Sequence, residues 1–320
     1  MPYQTGTVND FAGLKTTMFS FLTSNSWTQE TDIIKRNGVY AKIEVASVSG
    51  QTILKLTGGK SSDGAGNLIS PQSGMFPDIG GIADSTFQAI NTSFGTGSTD
   101  GMIFPIIYHF HLATAPDEFW CIIEYNGGLF QHFGFGNLLK ATDYSGGGFY
   151  SASKNARVDF SATLSPFGAS IYGDLWYGEF YPFHIQQTSV HGGSCVHAEV
   201  GGRDWHCSTE VNNQDTCNMR ASFDEMKSSE SGVNGMPNLI PFRLWMQTTP
   251  LSDDSYQYLG VMNNIRFCEI AFIDAGQVES DGTDSWKFYP CLRKDTDHPA
   301  GWADPASSGI GGLAIRYDGP

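Results

Sequence analysis

Basic residues are scarce. Lys and Arg number 18 against 33 Asp and Glu, giving the 320-residue chain a formal charge of -15 and a pI near 4.7. A phosphate-binding face needs net positive potential, so direct nucleic-acid recognition is not expected. Charge of either sign is sparse too: 16% of residues are charged, where soluble domains carry roughly 25%. Long apolar runs are missing. The longest, at 102–107 and 119–123, fall far short of the roughly 20 residues that a membrane-crossing helix needs. No membrane-spanning segment is therefore expected. The opening string MPYQTGTVNDFAGL lacks the positive and apolar regions of a secretory signal, so none is expected.

Familiar catalytic signatures are also lacking. No G-x-S-x-G elbow joins a strand to a helix. The strings GGKSSDG and YSGGGFYS lack the spacing of a phosphate-binding loop. No β-then-helix rhythm recurs, which disfavours Rossmann-like and barrel enzymes of the α/β kind. Cysteines are few, at 121, 195, 207, 217, 268 and 291, and no Cys-x2-Cys knuckle occurs. Cys121 and Cys268 stand in the apolar strings WCII and IRFCEIAFI, where a buried reduced thiol is the ordinary reading.

Glycine and aromatics are what the chain has in abundance, with 38 Gly and 13% Phe, Trp and Tyr. With 40% hydrophobic residues, global disorder is excluded. The spacing of Phe11, Leu14, Met18, Phe21 and Leu22 predicts a helix over 10–25, capped by Asp10 and ended by Asn25-Ser26. Trp27 is placed to pack back on its apolar stripe. The period then changes, and 32–35, 39–48 and 52–57 read as a three-stranded meander turning at Asn37-Gly38 and Ser49-Gly50. Residues 58–101 mix Gly, Ser, Asp and Pro. They read as an extended arm or loop, ordered by a neighbouring subunit or else flexible.

From 102 onward strands return. MIFPIIYHFHLA and FWCIIEYNGG form a hairpin through TAPDE, and LFQHFGFGNLLK follows. Further strands are expected at 157–163, 169–175, 240–248, 256–261, 264–273, 284–289 and 310–317. The expected fold is mainly β: antiparallel β-sandwich-like sheets with one N-terminal α-helix and long irregular loops or arms. Its parts are 1–57 (helix and meander), 58–101 (Gly/Ser-rich arm), 102–188 (first part of the sandwich), 189–235 (a polar, exposed Cys/His-containing insertion) and 236–320 (second part). Two separate β domains parting within 58–101 are the alternative.

Several side-chain groups could carry chemistry. His191, Cys195, His197, His206, Cys207 and Cys217 are types that hold tetrahedral zinc, and Cys195 and His197 would share a strand face. Adjacent His206 and Cys207 rarely point at one ion. Zinc, a Cys207–Cys217 or Cys195–Cys207 disulfide, and free cysteines beside surface histidines all stay open. His109 and His111 would share one strand face with Phe110 on the other, an arrangement that metal-dependent β-barrel enzymes also use. Such a site needs a carboxylate and a third histidine, and Glu118 and His132 make no recognisable pattern, so the pair is read as structural. Asp253-Asp254, or Asp281 with Asp284, could flank a glycan, but Asp281-Gly282-Thr283-Asp284 is better read as a hairpin turn. Trp176-Tyr177 and Trp205, near Asp174, Glu179 and Asp204, could stack sugars; core or interface packing is the competing reading. No catalytic, cofactor-binding or metal residue is assigned, no cofactor is expected, and no enzymatic activity is expected.

The string EYNGGLFQHFGFGNLLKATDYSGGGFYSAS resembles a block in tail and other virion structural proteins of tailed bacteriophages. There an aromatic strand precedes a G-F-G-x-L-x-K element, here Gly134, Phe135, Gly136, Leu138 and Lys140, and a Gly-rich turn, here Gly146, Gly147, Gly148 and Phe149. LGVMNNIRFCEI and WKFYPCLRK are similar to their late strand pair through Gly260, Arg266, Trp286, Phe288, Tyr289 and Pro290. GGLAIRYDG resembles their C-terminal strand, and a helix followed by Trp27 fits the type. Residues 189–235 fall outside the pattern. The resemblance implies a structural component of the virion, in the tail tip, baseplate or neck, assembled in the host cytoplasm. Its partners would be copies of itself in a ring, other tail proteins and a host surface receptor. A carbohydrate- or receptor-binding module at the tail tip is the alternative function. Low charge with abundant glycine suits loops buried by neighbouring subunits, and an acidic surface keeps unassembled subunits soluble.

Overall fold

In the computed structural model, residues 1–48, 51–71, 79–83, 103–125, 127–152, 194–207, 217–218, 236–247, 256–291, 294 and 311–319 are described. Strand β1 (Tyr3–Val8) leads into helix α1 (Phe11–Ser24). The Asp10 carboxylate accepts the Gly13 N–H at 2.6 Å, satisfying a donor that the first helical turn leaves unpaired. Phe11, Leu14, Met18, Phe21 and Leu22 are all buried, as their spacing predicts. At the other end the Asn25 N–H donates to the Leu22 carbonyl and the Ser26 N–H to the Thr23 carbonyl, and Ser26 takes φ 69°. Trp27 is buried and packs edge-on against Phe135, 5.5 Å between centroids.

Strands β2 (Thr28–Glu30), β3 (Ile33–Arg36), β4 (Val39–Val48) and β5 (Gln51–Gly59) form the meander. Its first predicted turn is present: Asn37 and Gly38 take φ of 45° and 84°, the left-handed pair that a tight hairpin requires. The second, Ser49-Gly50, lies outside the described residues. The next stretch departs from expectation. Strands β6 (Ser61–Ser62) and β7 (Leu68–Ile69) pair with each other, and β8 (Ile79–Ala83) pairs with β5, completing the order β2-β3-β4-β5-β8. Part of the 58–101 segment is thus sheet and hairpin, not irregular arm. Local hydrogen bonding replaces the missing hydrophobic alternation: the Asp63 carboxylate accepts from the Ala65 and Asn67 backbone N–H and the Asn67 amide, closing the turn.

The second sheet collects β9 (Ile106–Thr114), β10 (Asp117–Tyr125), β11 (Leu129–Asn137), β13 (Gly146–Ala152), β14 (Cys195–Val200) and β15 (Arg203–Cys207); the short β12 (Leu139–Lys140) leaves it. The order is β1-β9-β10-β11-β13-β14-β15, every pair antiparallel. Almost every residue of β10 and β11 is buried, so both faces of this sheet are covered. That explains why these strands read as near-continuous apolar strings. The polar 189–235 stretch was expected to be an exposed insertion. Instead, 195–200 and 203–207 extend this central sheet, with Cys195, Val196, His197, Ala198 and His206 buried. Cys195, His197 and His206 lie within the sheet layers while Glu199 and Asp204 stay exposed, and composition alone does not distinguish the two.

The third sheet contains β16 (Cys217–Asn218), β17 (Ile240–Gln247), β18 (Tyr256–Glu269), β19 (Val278–Ser280), β20 (Ser285–Pro290) and β21 (Gly311–Arg316). The order is β16-β17-β18-β21-β20-β19, with β12 paired to β18. Two expected strands, 256–261 and 264–273, are one 14-residue strand. The break felt in the sequence is a bulge: Pro241 stands opposite Arg266 and Phe242 opposite Met262, leaving 263–265 unmatched on that edge. Asp281-Gly282-Thr283-Asp284 forms the expected hairpin turn, the Asp281 carboxylate accepting the Thr283 and Asp284 N–H at 2.8 Å each. The strands expected at 157–163 and 169–175 lie outside the described residues.

The layers stack in a fixed order. On one face of the central sheet, Phe21 of α1 meets Phe110 and Phe119, while Tyr150 accepts the Tyr40 N–H. On the other face, Phe130 meets Tyr289 of the third sheet. One cluster of buried side chains runs through all three layers from Phe11 to Ile315, joining the two sides of 58–101. The fold is mainly β, with antiparallel sheets and one helix among the described residues.

Candidate functional site

His109 and His111 lie where their i, i+2 spacing puts them, on the face of β9 that meets the third sheet, with Phe110 turned to the helix. Tyr3 of β1 stands opposite His111 in the ladder. Its hydroxyl shares a 2.9 Å hydrogen bond with Nδ1 of His109. Across the layers, Nε2 of His111 and the Tyr289 hydroxyl are 3.0 Å apart. Tyr317 packs edge-on to Tyr3 at 5.1 Å, and the Lys287 ammonium sits over both rings, 4.5 and 4.9 Å from their centroids. Two imidazoles, three phenols and one ammonium from β1, β9, β20 and the segment after β21 thus form a seam between two sheets.

Burial fixes the protonation of this seam. Desolvation, helped by Lys287, holds His109 down at about 4 and His111 well below the ordinary imidazole value. His132, on the same face of β11, is pushed down to about 3 by burial alone. Both histidines of the i, i+2 pair are neutral at pH 7 and each binds a tyrosine hydroxyl. A cation would have to displace those bonds. Among the described residues no group of three or more His, Cys, Asp or Glu side chains could hold a metal ion.

Further along β10, Glu118 has no exposed surface. Its carboxylate accepts the backbone N–H of Asn263 at 2.6 Å and of Asn264 at 3.1 Å, the donors that the β18 bulge leaves without ladder partners. Burial pushes the Glu118 carboxyl up to about 7, against the downward pull of those two N–H groups. Within the same bulge, Arg266 donates to the Met262, Asn263 and Ile265 carbonyls at 3.3, 2.8 and 2.8 Å. Its guanidinium lies 5.0 Å over Trp286. Beside Glu118, Trp120 lies flat over the position opposite it in β11. That position is Gly134, where a Cβ would run into the indole ring.

Gly134, Arg266, Trp286 and Tyr289, quoted for the virion resemblance, all fall on this seam or its bulge. Tyr3 and Lys287 were not picked out from the sequence, and Glu118 was weighed there only beside His132 as a further ligand of a metal-binding barrel. A carboxylate at the head of the string EFWCII was the available signal for Glu118, since a charge inside a fully buried strand needs a dedicated partner.

The other candidates separate. Cys195 is disulfide-bonded and stands opposite Cys207 in the β14–β15 ladder, so its sulfur is not a zinc ligand. Cys121, Cys268 and Cys291 are reduced and buried; for Cys121 and Cys268 this is the ordinary reading of their apolar strings. His197 shares a strand face with Cys195 as expected. It is buried beneath Trp205, 5.2 Å between centroids, and Trp205 also meets Tyr150 at 5.9 Å. Trp205 is therefore a packed ring, not a flat exposed platform. Nearby Lys60 bridges Glu199 at 2.5 Å and Asp204 at 3.2 Å. His206 is buried and bonds the Ala198 carbonyl at 2.9 Å. His191, Asp174, Trp176, Tyr177, Glu179, Asp253 and Asp254 lie outside the described residues. No helix among the described residues is long and apolar enough to cross a membrane.

No protein-family model matches the chain, and no curated protein matches it in sequence.

Proposed function

We propose that the chain is a non-catalytic structural subunit of a tailed-bacteriophage virion, placed in the tail at its tip, baseplate or neck. There it assembles with copies of itself and holds neighbouring tail proteins. The observation that carries this reading is how the buried titratable groups are used. His109, His111 and Glu118 each spend their hydrogen-bonding atoms on joining the central sheet to a neighbouring strand or sheet, so they rigidify the sandwich instead of facing a substrate. Three partners in this joint, Asn263, Asn264 and Tyr289, belong to strings that resemble virion proteins, which supports reading those strings as architecture.

The test is a count of the chain in virus particles. Particles purified from cells that encode it are analysed by quantitative mass spectrometry, and the chain is located by electron microscopy with an antibody. A fixed copy number at one place on the tail is the expected result. A monodisperse monomer absent from every particle would sink the proposal.

A further inference from the structure

We infer that one copy of this chain binds the next head to tail, Phe272 at one end of strand β18 seating against the Leu139–Lys140 segment at the other end of the same strand in the neighbouring copy. The inference rests on the reading of the chain as a self-assembling subunit and adds the surface through which it assembles.

Phe272 is 90% exposed, an unusual position for a ring whose burial would be favourable. Its support is rigid. The residues on either side of the turn, Ile270 and Ile273, are buried in a small core with Cys268, Trp286, Phe288 and Ala314. The Ile273 N–H bonds the Ile270 carbonyl at 3.1 Å, and Gln277 N–H bonds the Asp274 carbonyl at 3.0 Å. Lys294 ties the Ile273 carbonyl at 2.9 Å and Asp274 at 3.1 Å. A ring held outward by a built turn binds without first losing conformational freedom, as aromatic anchors at interfaces do.

Charge selects what it meets. Exposed Glu269 and Asp274 flank the ring, and Lys294 offsets one of them. Two such turns face to face would oppose like charges. Among the exposed large hydrophobic residues described, Leu139, at 53%, has an exposed basic neighbour next in sequence, Lys140. That ammonium donates to the Tyr144 carbonyl at 2.7 Å and lies over the Tyr144 ring; among the described residues no carboxylate pairs with it.

Position makes the contact directional. Leu139 and Lys140 pair with Val261 and Gly260, near the start of β18, whereas Phe272 lies just past its end at Glu269. From 261 to 269 the strand advances roughly 25 Å. Two different patches engaged one at a time form a heterologous contact, which closes into a ring or runs on as a filament. Two copies making both contacts at once would instead close as a two-fold dimer, so a wild type that stops at dimers overturns the head-to-tail arrangement.

Sedimentation velocity of the full chain over a wide concentration range tests this, with Phe272→Ser, Leu139→Glu and an equimolar mixture of the two. Both substitutions are on exposed side chains, and circular dichroism with thermal melting confirms that each variant is folded. The wild type is expected to associate, and each variant alone to associate about 10- to 100-fold more weakly. The mixture should stop at dimers, because each mixed pair retains one intact head and one intact tail. Association unchanged by either substitution overturns this surface and leaves the subunit reading standing. A wild type that stays monomeric at every concentration also overturns it, and the copy number in particles then decides the subunit reading separately.

Discussion

Acidification should destabilise this protein well above the pH at which its surface carboxylates protonate. In the unfolded chain each histidine titrates near 6.5. In the folded chain His109 is held at about 4, His132 at about 3 and His111 well below the ordinary imidazole value. The unfolded state therefore binds protons first, and stability falls as the pH drops below about 6.5. Each such group contributes about 1.4 kcal/mol per pH unit in its window, so three contribute about 4 kcal/mol per unit near pH 5.5. Glu118 acts in the opposite sense. Its folded value, about 7, lies above the unfolded one, so its contribution is full below about 4.5 and is lost as the pH rises through 7. Near pH 5.5 it offsets about 1.4 kcal/mol per unit. The net expectation is a loss of about 2–3 kcal/mol per pH unit between pH 6 and 5, large against a total stability of about 5–15 kcal/mol. Carboxylates with lowered values, such as Glu30 at about 2, do not titrate in this window. Urea unfolding followed by tryptophan fluorescence at several pH values measures the net slope, and His109→Gln should reduce it by about one half. A slope near zero, or stability that rises on acidification, would refute the assignment of neutral buried histidines.

Glu118→Leu leaves the Asn263 and Asn264 N–H groups buried without an acceptor and should cost about 2–5 kcal/mol in urea unfolding; a loss under 1 kcal/mol would mean that the bulge finds other partners. Tyr289→Phe removes the hydroxyl bonded to His111 and should cost about 0.5–1.5 kcal/mol, read as a lowered urea midpoint with unchanged slope. Gly134→Ala forces a methyl against Trp120 and should cost about 1–3 kcal/mol, visible as a lowered melting temperature; a neutral result would show that the indole can shift. With Cys195 in a disulfide and six cysteines in all, a denatured, unreduced sample should titrate four thiols with Ellman's reagent, 6 − 2 = 4. Six would show that the bridge is absent.

Local signals survived folding well. Helix α1 with its Asp10 cap, the Asn37-Gly38 turn, the β9–β10 hairpin and the Asp281 turn all follow from short-range chemistry that a sequence displays directly. What stayed hidden was long-range. Strands β14 and β15 mix buried Cys195, His197 and His206 with exposed Glu199 and Asp204 that pair with Lys60, and polarity alone reads both kinds as exposed. Strand β1, YQTGTV, is too mixed to show a clean alternation, yet it places Tyr3 on His109. The bulge in β18 broke one strand into two in the sequence reading, since the alternation of apolar residues shifts phase at Asn263-Asn264. His109 and His111 were placed on the correct face, but the tyrosines and lysine that occupy them come from β1, β20 and the segment after β21.

Strand β18 changes neighbours partway along. Residues near its start are matched with β12 on one edge, those near its end with β21 on the same edge, and the bulge interrupts β17 on the other. A uniform ladder would transmit a pull at the Phe272 end straight along the sheet to Leu139. Here the tension arrives at Asn263-Asn264, where the backbone is held sideways by Glu118 of the central sheet. A tug on one end of the strand is shared with β10 before it reaches the other. The brace to Glu118 therefore lets β10 carry part of a load that one continuous strand would otherwise pass on whole.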